Sequence, residues 1–461
     1  MRAAGVATGD RVGLFLGNRP ELVTAYFGAL RAGAVVVPVN PALTASEVDP
    51  IAEHVGLSLV VVDRSTTDAA AEAMPSVPRY LAGVGTGPGS FQSLLAGAGP
   101  AVPEPPGDDT LAMVIYTSGQ SGEPKGAMLT HRSLIANVEQ VAAAQVAVAE
   151  PDDVVLMLLP LTHVYSLAGT LGALTRAAAT GVLVEAADSA SALQMVRQYR
   201  VTNVPGAPSL WASWAAEPDA VEILGGLRIA FSGSAELPVE VQQRIHSLTD
   251  WYIHEGYGLT EAAPGVSSTV VSGRARPGSV GRPFLGVSVK LLDDDGEVVD
   301  PADGDPGEIW IKGDNVFSGY WPDGHDGPDA DGWFATGDVG FIDDDGDLHL
   351  VDRRKDVIIV SGFNVYPHEV EVALGRHPSV RDVAVVGVPD DRTGEAVKAF
   401  VVATGEVSEA DLQTHVSTRL ARFKQPREYE LVEQLPHSLS GQVARGRVAP
   451  RSPLESGDVE S

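Results

Sequence analysis

The chain has 461 residues, of which 44% are hydrophobic and 20% are charged, and it contains no cysteine. That length is too great for one hydrophobic core and predicts two or three domains. The lack of cysteine excludes disulfides, zinc–thiolate sites and a cysteine nucleophile. The formal net charge of −29, from 61 acidic and 32 basic side chains, repels nucleic acid and anionic membranes, so we expect neither as a partner.

The sequence also argues against insertion into a membrane and against export. No apolar run approaches the roughly 20 residues that a membrane span needs. The opening stretch, MRAAGVATGDRVGLFLGN, lacks the apolar segment of a signal peptide. We therefore expect a protein of the cytoplasm without a membrane span.

The first part of the chain alternates short β-branched runs with amphipathic stretches. The predicted strands are RVGLFL at 11–16, VVVPV at 35–39 and LVVVD at 59–63. ELVTAYFGALRAGA at 21–34 predicts a helix, and Pro20 favours its first turn. The alternation is typical of a layered α/β fold, and further α/β units are predicted from Val154 to about Ala263.

The stretch YTSGQSGEPKGAMLTH, residues 116–131, has the composition of a loop that holds phosphate. It lies between a predicted strand at 111–118 and a predicted helix at 133–148. The glycines that free its backbone N–H groups to surround an anion are Gly119, Gly122 and Gly126. Its hydroxyl donors and its cation are Thr117, Ser118, Ser121 and Lys125. The Walker pattern does not fit because Lys125 precedes a glycine, and the alternative is an ordinary Gly/Ser-rich connection.

From about Gly278 the pattern changes to short strands with tight turns. Residues 288–300 and 340–352 each predict a β-hairpin that turns at Asp-Gly. Their acidic runs also suggest calcium, but the EF-hand pattern fails because Leu291 and Phe341 occupy the first ligand position.

After Asp352 a smaller α+β unit is predicted. Its strands are expected at 357–361 and 383–388, and its helices at about 367–375 and 408–420. The basic run at 353–355 is the densest in this acidic chain, so it is a candidate for binding an anion, with a solvated charge run as the alternative. The final segment, RSPLESGDVES, is predicted to be disordered.

The loop and the motifs downstream of it resemble, in the same order, the signatures of the adenylate-forming superfamily of acyl-CoA synthetases, non-ribosomal adenylation domains and luciferases. The loop is similar to YTSGTTGxPKG, and IHEGYGLTEAA is similar to the GYGxTE element. LPLTHVYSL resembles the PLFH element of the family, and AFSGSAELP resembles its SGGAPLP turn. GWFATGDVGFI resembles the TGD element. The resemblance runs from about Val12 to Val448. VDRRKDVIIVSGFNVYPHEVE and GVPDDRTGEAVKAFVV look most like bacterial fatty-acid–CoA ligases.

The resemblance implies an α/β fold with two domains. The large N-terminal domain, residues 1–352, is expected to contain layered α/β subdomains and a small β-barrel-like part, and to begin later than its relatives do. A mobile α+β C-terminal domain is expected at 353–450, followed by a disordered tail at 451–461. The oligomeric state is left open, with a homodimer as one alternative.

The activity implied is that of an acyl-CoA synthetase acting on a fatty or other hydrophobic carboxylic acid. ATP and Mg²⁺ would activate the acid as acyl-AMP, and the acyl group would pass to coenzyme A. The stretch between Glu261 and Asp338 is too short for the insertion typical of fatty-acyl-AMP ligases, which favours coenzyme A as the acceptor.

The resemblance also assigns the site residues. The implied nucleotide- and coenzyme-binding positions are Thr117, Ser118, Gly119, Gln120, Ser121, Gly122, Gly233, Ser234, Ala235, Gly256, Tyr257, Gly258, Asp338, Arg353, Lys355, Gly362 and Phe363. The implied catalytic positions are Lys125, His163, Thr260, Glu261 and Gln442. Thr117 and Glu261 are the implied magnesium ligands.

Several of these positions have distinct implied roles. Tyr257 offers a flat face to adenine, and Asp338 takes both ribose hydroxyls because a carboxylate has two acceptor oxygens. Arg353 approaches the ribose, Lys355 is the hinge, and the Gly362-Phe363 pair borders the pantetheine tunnel. The PLFH-like element places His163 and Tyr165 near the carboxylate substrate, although a lone histidine is more often structural.

The sequence departs from the family pattern at functional positions. Gln120 and Ser121 replace two threonines, and Ser234 with Glu236 departs from the adenine-supporting turn. In LPHSLSGQVARGRVAP, Gln442 stands where the family has a lysine that bridges the carboxylate and the α-phosphate. Losing such a transition-state contact costs on the order of 10²–10³ in rate, so we expect slow adenylation with thioester formation spared. The alternative is a non-catalytic acyl-nucleotide-binding pseudoenzyme.

Overall fold

The computed structural model describes residues 1–83, 85–96, 107–117, 125–185, 188–293, 295–353, 356–360, 363–390, 394–437, 443 and 445–448. The chain folds into two compact units. The first unit contains Met1–Val289, Ile311–Phe334 and Gly346–Leu348, and the second contains Lys290–Trp310, Ala335–Asp345 and the chain from His349 onward. The domain boundaries after residues 352 and 450 stay predictions.

A six-stranded sheet forms the first layer of the first unit. Its strands are β1 (Arg11–Phe15), β2 (Val35–Pro38), β3 (Leu57–Val62), β4 (Arg79–Leu81), β5 (Leu111–Thr117) and β6 (Lys125–Thr130). The accompanying helices are α1 (Pro20–Arg31), α2 (Ala45–Val55), α3 (Thr67–Ala73), α4 (Phe91–Ala96) and α5 (His131–Ala142). The strand order is β4-β3-β1-β2-β5-β6. All neighbours are parallel except β5 and β6, which are antiparallel.

The strands and the helix predicted in this layer are confirmed. Val35, Val36 and Val37 are each at most 3% exposed, as expected for a strand that is covered on both faces of a parallel sheet. Helix α1 ends at Arg31 rather than at residue 34. Gly33 adopts φ +77°, a left-handed conformation that ends helices.

A seven-stranded sheet forms the second layer of the first unit. Its strands are β7 (Val154–Met157), β8 (Thr180–Leu183), β9 (Asn203–Gly206), β10 (Ile229–Ser232), β11 (His254–Gly258), β12 (Gly265–Ser268) and β13 (Arg282–Pro283). Its helices are α6 (Leu171–Ala177), α7 (Ser189–Tyr199), α8 (Pro208–Trp214), α9 (Ala220–Leu224), α10 (Val239–Thr249) and α11 (Thr269–Ser272). The order is β13-β12-β11-β10-β9-β7-β8. Trp211 and Trp214 are fully buried in its core.

The small β part predicted after Gly278 is an open sheet. Its strands are β14 (Ser288–Leu292), β15 (Gly307–Lys312), β16 (Phe334–Ile342) and β17 (Leu348–Arg353). Their order is β14-β15-β16-β17, so the barrel-like expectation is corrected: within the described ranges this sheet does not close. The hairpin predicted at 340–352 corresponds to β16 and β17. The one predicted at 288–300 pairs its arms through a bridge between Leu292 and Val298.

The last described part of the chain, from residue 358 onward, is an α+β layer. Its strands are β18 (Ile358–Val360), β19 (Phe363–Val365), β20 (Val380–Asp390), β21 (Gly394–Ala403) and β22 (Glu428–Leu431). Its helices are α12 (Pro367–Gly375), α13 (Glu409–Ser417) and α14 (Arg445–Val448). The order is β19-β18-β21-β20, with β22 beside β21. These elements confirm the predicted strands and helices, while the tail at 451–461 lies outside the described residues.

The architecture matches the predicted fold class of a large N-terminal α/β part and a smaller C-terminal α+β part. Amphipathic helices cover sheets whose strands are largely buried, as layered α/β folds require. Among the helices of the described ranges, none combines the length and the apolar character needed to cross a bilayer.

Candidate active site

The two ends of the predicted phosphate loop lie side by side. Thr117 ends β5, Lys125 begins β6, and the two residues are directly paired in the antiparallel ladder. The expected phosphate contacts at residues 118–122 lie outside the described residues. The loop therefore connects two strands, whereas the sequence predicted that it leads directly into a helix. Strand β6 was missed because KGAMLT carries only three apolar residues.

Gly126 has a packing role rather than the loop role that the sequence suggested. It lies inside β6, and a Cβ atom there would come within 2.8 Å of Val114 Cγ1 and 3.1 Å of Tyr116 Cζ. Real Cβ atoms rarely approach other atoms so closely. Glycine at this position therefore allows Val114 and Tyr116 of β5 to pack over β6.

The outer edge of β6 is covered by residues 317–326, which we call the edge segment. The Ser318 N–H donates to Met128 O at 3.0 Å, and the Trp321 N–H donates to Gly126 O at 2.8 Å. Gly319 adopts φ +97°, where a side chain would overlap the Gly324 carbonyl. The sequence pattern did not predict this segment, although its FSGYWP run contains a proline, which strands tolerate at a sheet edge.

Lys125 points at the edge segment. Its Nζ lies 2.9 Å from Asp326 Oδ2 and 5.0 Å from the centre of the Tyr320 ring. The hydrogen bond from Lys125 lowers the pKa of the Asp326 carboxyl. Both partners are partly exposed, and such surface pairs are weak. The ammonium group thus has two neighbours in the edge segment but no strong ion pair with either of them.

Glu261 joins the same cluster from a different motif. It lies in the 3-10 turn Thr260–Ala262, which follows β11. The Tyr320 hydroxyl donates to Glu261 Oε1 at 2.6 Å, and the Phe317 N–H donates to the Glu261 carbonyl at 2.8 Å. Burial, reinforced by the Glu261 carboxylate, raises the pKa of Tyr320, so the phenol stays protonated and acts as a donor.

The glycines of the GYG element serve a close approach between strands. A Cβ on Gly256 would lie 3.0 Å from Ser267 O, and one on Gly258 would overlap Pro264 O. Strand β12 therefore lies against β11 with no room for side chains at these two positions. Tyr257 between them is buried, with 7% of its surface exposed. Its role toward adenine stays a prediction.

Tyr165, in the PLFH-like element that also carries His163, lies beside the turn that follows β10. The ring of Tyr165 lies 3.2 Å from the position of a Cβ on Gly233, so the turn and the PLFH-like element are in contact. Ser234 adopts φ +71°, a conformation that favours glycine, and glycine is the residue that the family pattern has there. His163 is exposed, yet desolvation by the protein around it lowers its pKa.

Glu255 is a buried carboxyl group that the sequence analysis did not single out. It is 4% exposed, it accepts from Gln242 Nε2 at 3.0 Å, and its Oε2 lies 3.4 Å from the Leu237 N–H. Burial raises the pKa of Glu255 to about 7. The carboxyl group therefore connects β11 to the segment between Ser234 and α10, next to the predicted adenine site.

We expect Glu255→Gln to remove a pH-dependent loss of stability. The pKa of Glu255 is higher in the folded chain than in the unfolded chain. Its contribution to the free energy of unfolding is therefore fully present below about pH 4.5 and is lost as the pH rises through about 7. The free energy of unfolding of the variant, relative to the native chain, should rise by roughly 3 kcal/mol between pH 4.5 and pH 8. Urea unfolding across that range measures the difference, and a constant difference would contradict the assignment.

Most of the remaining predicted site residues belong to the second unit or lie outside the described residues, and Ala235 and Thr260 belong to the first unit. Asp338 lies in β16, and its N–H donates to Thr336 Oγ1 at 3.1 Å. Arg353 ends β17 and Phe363 begins β19. Lys355, Gly362 and Gln442 lie outside the described residues. Ala235 follows Ser234, and Thr260 begins the turn that contains Glu261.

The side-chain oxygens that the sequence assigns to magnesium suit an ion that is bound mainly by phosphate and water. Within the described part of the chain, no group of three or more His, Asp or Glu side chains could hold a metal. Mg²⁺ commonly uses one or two carboxylates and completes its shell with water and phosphate oxygens. Glu261 with its carboxylate and Thr117 with its hydroxyl at the start of the loop stay the predicted protein ligands. Glu261 Oε2 accepts no hydrogen bond from the described residues.

Comparison with known proteins places this geometry in context. The profile of the family described as AMP-binding enzyme matches residues 1–321, and that of the AMP-binding enzyme C-terminal domain matches residues 369–442. The chain is 32% identical to a long-chain-fatty-acid–CoA ligase of Bacillus subtilis, over 97% of this chain and 86% of that protein. It is 38% identical to a feruloyl-CoA synthase of an Amycolatopsis species, over 98% of this chain and 90% of that protein.

Solved structures agree with the sequence matches. The crystal structure of ATP-bound MatB from Rhodopseudomonas palustris superposes with a TM-score of 0.88 at 33% identity, covering 97% of this chain and 89% of that one. Together these matches cover both parts of the chain. They give no support to the alternative of a non-catalytic acyl-nucleotide binder.

Proposed function

This chain belongs to the family of AMP-binding enzymes and is an AMP-forming acyl-CoA ligase, and from that premise we propose that its acid substrate is a fatty or other hydrophobic carboxylic acid. The observation that carries the ATP-dependent activation of this acid is the cluster of Lys125, Tyr320 and Glu261 in one unit. It provides a cation and a carboxylate at the end of the loop that is expected to hold phosphate. The names of the relatives, a fatty-acid ligase and a feruloyl-CoA synthase, support a hydrophobic acid.

In the first half-reaction residues of the first unit hold the phosphates of ATP. Lys125 and the loop neutralise the phosphates, and Glu261 with Thr117 would hold Mg²⁺, which supplies further neutralisation when bound. The carboxylate oxygen of the acid attacks the α-phosphorus, and the bond to pyrophosphate breaks. Positioning and charge neutralisation supply most of the rate enhancement.

The acid itself is proposed to bind near His163. Desolvation lowers the pKa of His163, so the imidazole is neutral at pH 7 and acts as a hydrogen-bonding group rather than as a cation. The contact between Tyr165 and Gly233 brings the acid-binding and adenine-binding elements together. The proposed acyl-AMP would therefore bridge them.

In the second half-reaction the thiol of coenzyme A attacks the acyl carbonyl and AMP leaves. Residues of the second unit are proposed to serve both steps, with Asp338 and Arg353 on the ribose, Lys355 as the hinge, and Gly362 and Phe363 along the pantetheine path. ATP and coenzyme A as substrates favour the cytoplasm as the compartment. A homodimer stays a hypothesis.

A panel of acids tests the substrate proposal. We expect ATP–pyrophosphate exchange and coenzyme A thioester formation with fatty acids or hydroxycinnamic acids, and little of either with acetate or short dicarboxylic acids. The reason is that each buried methylene contributes about 0.8 kcal/mol to binding. Exchange with radiolabelled pyrophosphate and chromatography of the thioesters are the measurements. A preference for the short polar acids would refute the hydrophobic-acid proposal.

A further inference from the structure

Tyr320 contacts both of the charged side chains that the proposed function places on Mg·ATP. Its hydroxyl donates to Glu261 Oε1 at 2.6 Å, and its ring lies 5.0 Å from Lys125 Nζ. Lys125 and Glu261 come from separate motifs of the sequence, and neither motif includes Tyr320. One phenol side chain therefore connects the cation and the carboxylate.

The phenol has little freedom to leave this position. The edge segment is bonded to β6 on both sides of Tyr320, through Ser318 and Trp321. The Phe317 ring packs edge-on against the Tyr320 ring, with 5.0 Å between centroids, and the Phe317 N–H donates to the Glu261 carbonyl. Tyr320 is thus held from both sides and holds Glu261 in turn.

We infer that Tyr320 is a positioning residue for adenylation, acting through Glu261 and Lys125. Its hydroxyl fixes the rotation of the Glu261 carboxylate and leaves Oε2 available to a metal ion, while its ring supports the Lys125 ammonium group. Hydrogen bonds to an ionised acceptor are the strong ones, and a cation over an aromatic ring gains further stabilisation. The inference rests on the roles proposed for Glu261 and Lys125.

Two substitutions separate the hydroxyl from the ring. Tyr320→Phe removes only the hydroxyl, so we expect the dissociation constant of ATP measured with Mg²⁺ to rise roughly tenfold and that measured with EDTA to stay unchanged. Tyr320→Leu also removes the ring face, so both constants should rise. Isothermal titration calorimetry of the full chain gives both values without requiring turnover.

The matched control is Tyr199→Phe, which removes a hydroxyl at the end of α7. Tyr199 is 49% exposed and contributes nothing to the cluster, so neither constant should change. The thermal unfolding midpoint of Tyr320→Phe should fall only slightly, because the ring still packs on Phe317 and only the hydrogen bond of the hydroxyl is lost. A large fall in the midpoint together with equal losses in both half-reactions would make the role structural and overturn the inference.

The half-reactions test the route of the effect. Tyr320→Phe should slow pyrophosphate exchange roughly tenfold and leave thioester formation from supplied acyl-adenylate unchanged. Combined with Glu261→Gln, it should add nothing to the loss caused by Glu261→Gln alone, because residues that act as one unit are not additive. Independent, additive losses would overturn the inference.

The outcomes distinguish this inference from the proposed function. If the native chain shows no exchange with any acid, the proposed substrate class fails, and the magnesium-dependent binding of ATP still tests Tyr320. If the native chain exchanges normally and Tyr320→Phe binds Mg·ATP equally well, the proposed function stands and the positioning role is overturned.

Discussion

Replacing Gln442 by lysine is expected to raise the rate of adenylation by on the order of 10²–10³. A lysine at this position would bring a positive charge to the carboxylate and the α-phosphate as negative charge concentrates between them. Gln can donate hydrogen bonds but carries no charge. Pyrophosphate exchange at saturating acid and ATP measures the first half-reaction directly.

The second half-reaction provides the internal comparison. Transfer of a supplied acyl-adenylate to coenzyme A should be unchanged in Gln442→Lys, because the family scheme does not use this lysine in that step. Gln442→Met, which is of similar length and uncharged, is the matched control and should not gain activity. An equal gain in both half-reactions, or a gain with methionine, would show that the charge is not the cause.

Substituting Gly258 by alanine is expected to destabilise the protein and to abolish most of the adenylation activity. A Cβ at this position would overlap Pro264 O, which also accepts the Leu259 N–H at 3.0 Å. Strands β11 and β12 must then separate, at a cost of about 2 to 3 kcal/mol. The turn that carries Glu261 follows directly, and a displacement of about 1 Å at a catalytic group can cost on the order of 10²-fold in rate.

Urea unfolding and pyrophosphate exchange test this prediction together. The matched control is Gly87→Ala, where a Cβ would meet no atom within 4 Å, so neither quantity should change. If Gly258→Ala unfolds at the same urea concentration as the native chain, the contact between the two strands does not require glycine. A loss of activity with unchanged stability would locate the effect at the ligand instead.

Much of the fold followed from local patterns. Short apolar runs predicted β1, β2 and β3, since strands covered on both faces of a sheet are largely apolar. The Asp-Gly turn predicted the hairpin of β16 and β17. Strand β6 was not predicted, because KGAMLT carries only three apolar residues and its other partner, the edge segment, lies far away in the chain. The barrel-like expectation failed because closure is decided by strand pairing.

Local patterns likewise predicted some residues of the candidate site and missed others. Motif order identified Lys125, Glu261 and His163, because their chemistry is carried by short local signatures. Tyr320 and Asp326 carried no signature, and only the pairing of the edge segment with β6 brings them to Lys125. Glu255 was likewise missed, since its raised pKa arises from burial.

The sequence by itself determined the family, the two-part α/β organisation and the absence at Gln442 of the charge that the family's lysine carries. Each of these can be read from short stretches of contiguous residues. The tertiary structure alone decided that Lys125 contacts the ring of Tyr320 and that Glu261 contacts its hydroxyl. It also decided that the glycines of the GYG element serve the contact between β11 and β12. Such contacts join residues from distant parts of the chain, and their distances are set by strand pairing and core packing, which no local pattern specifies.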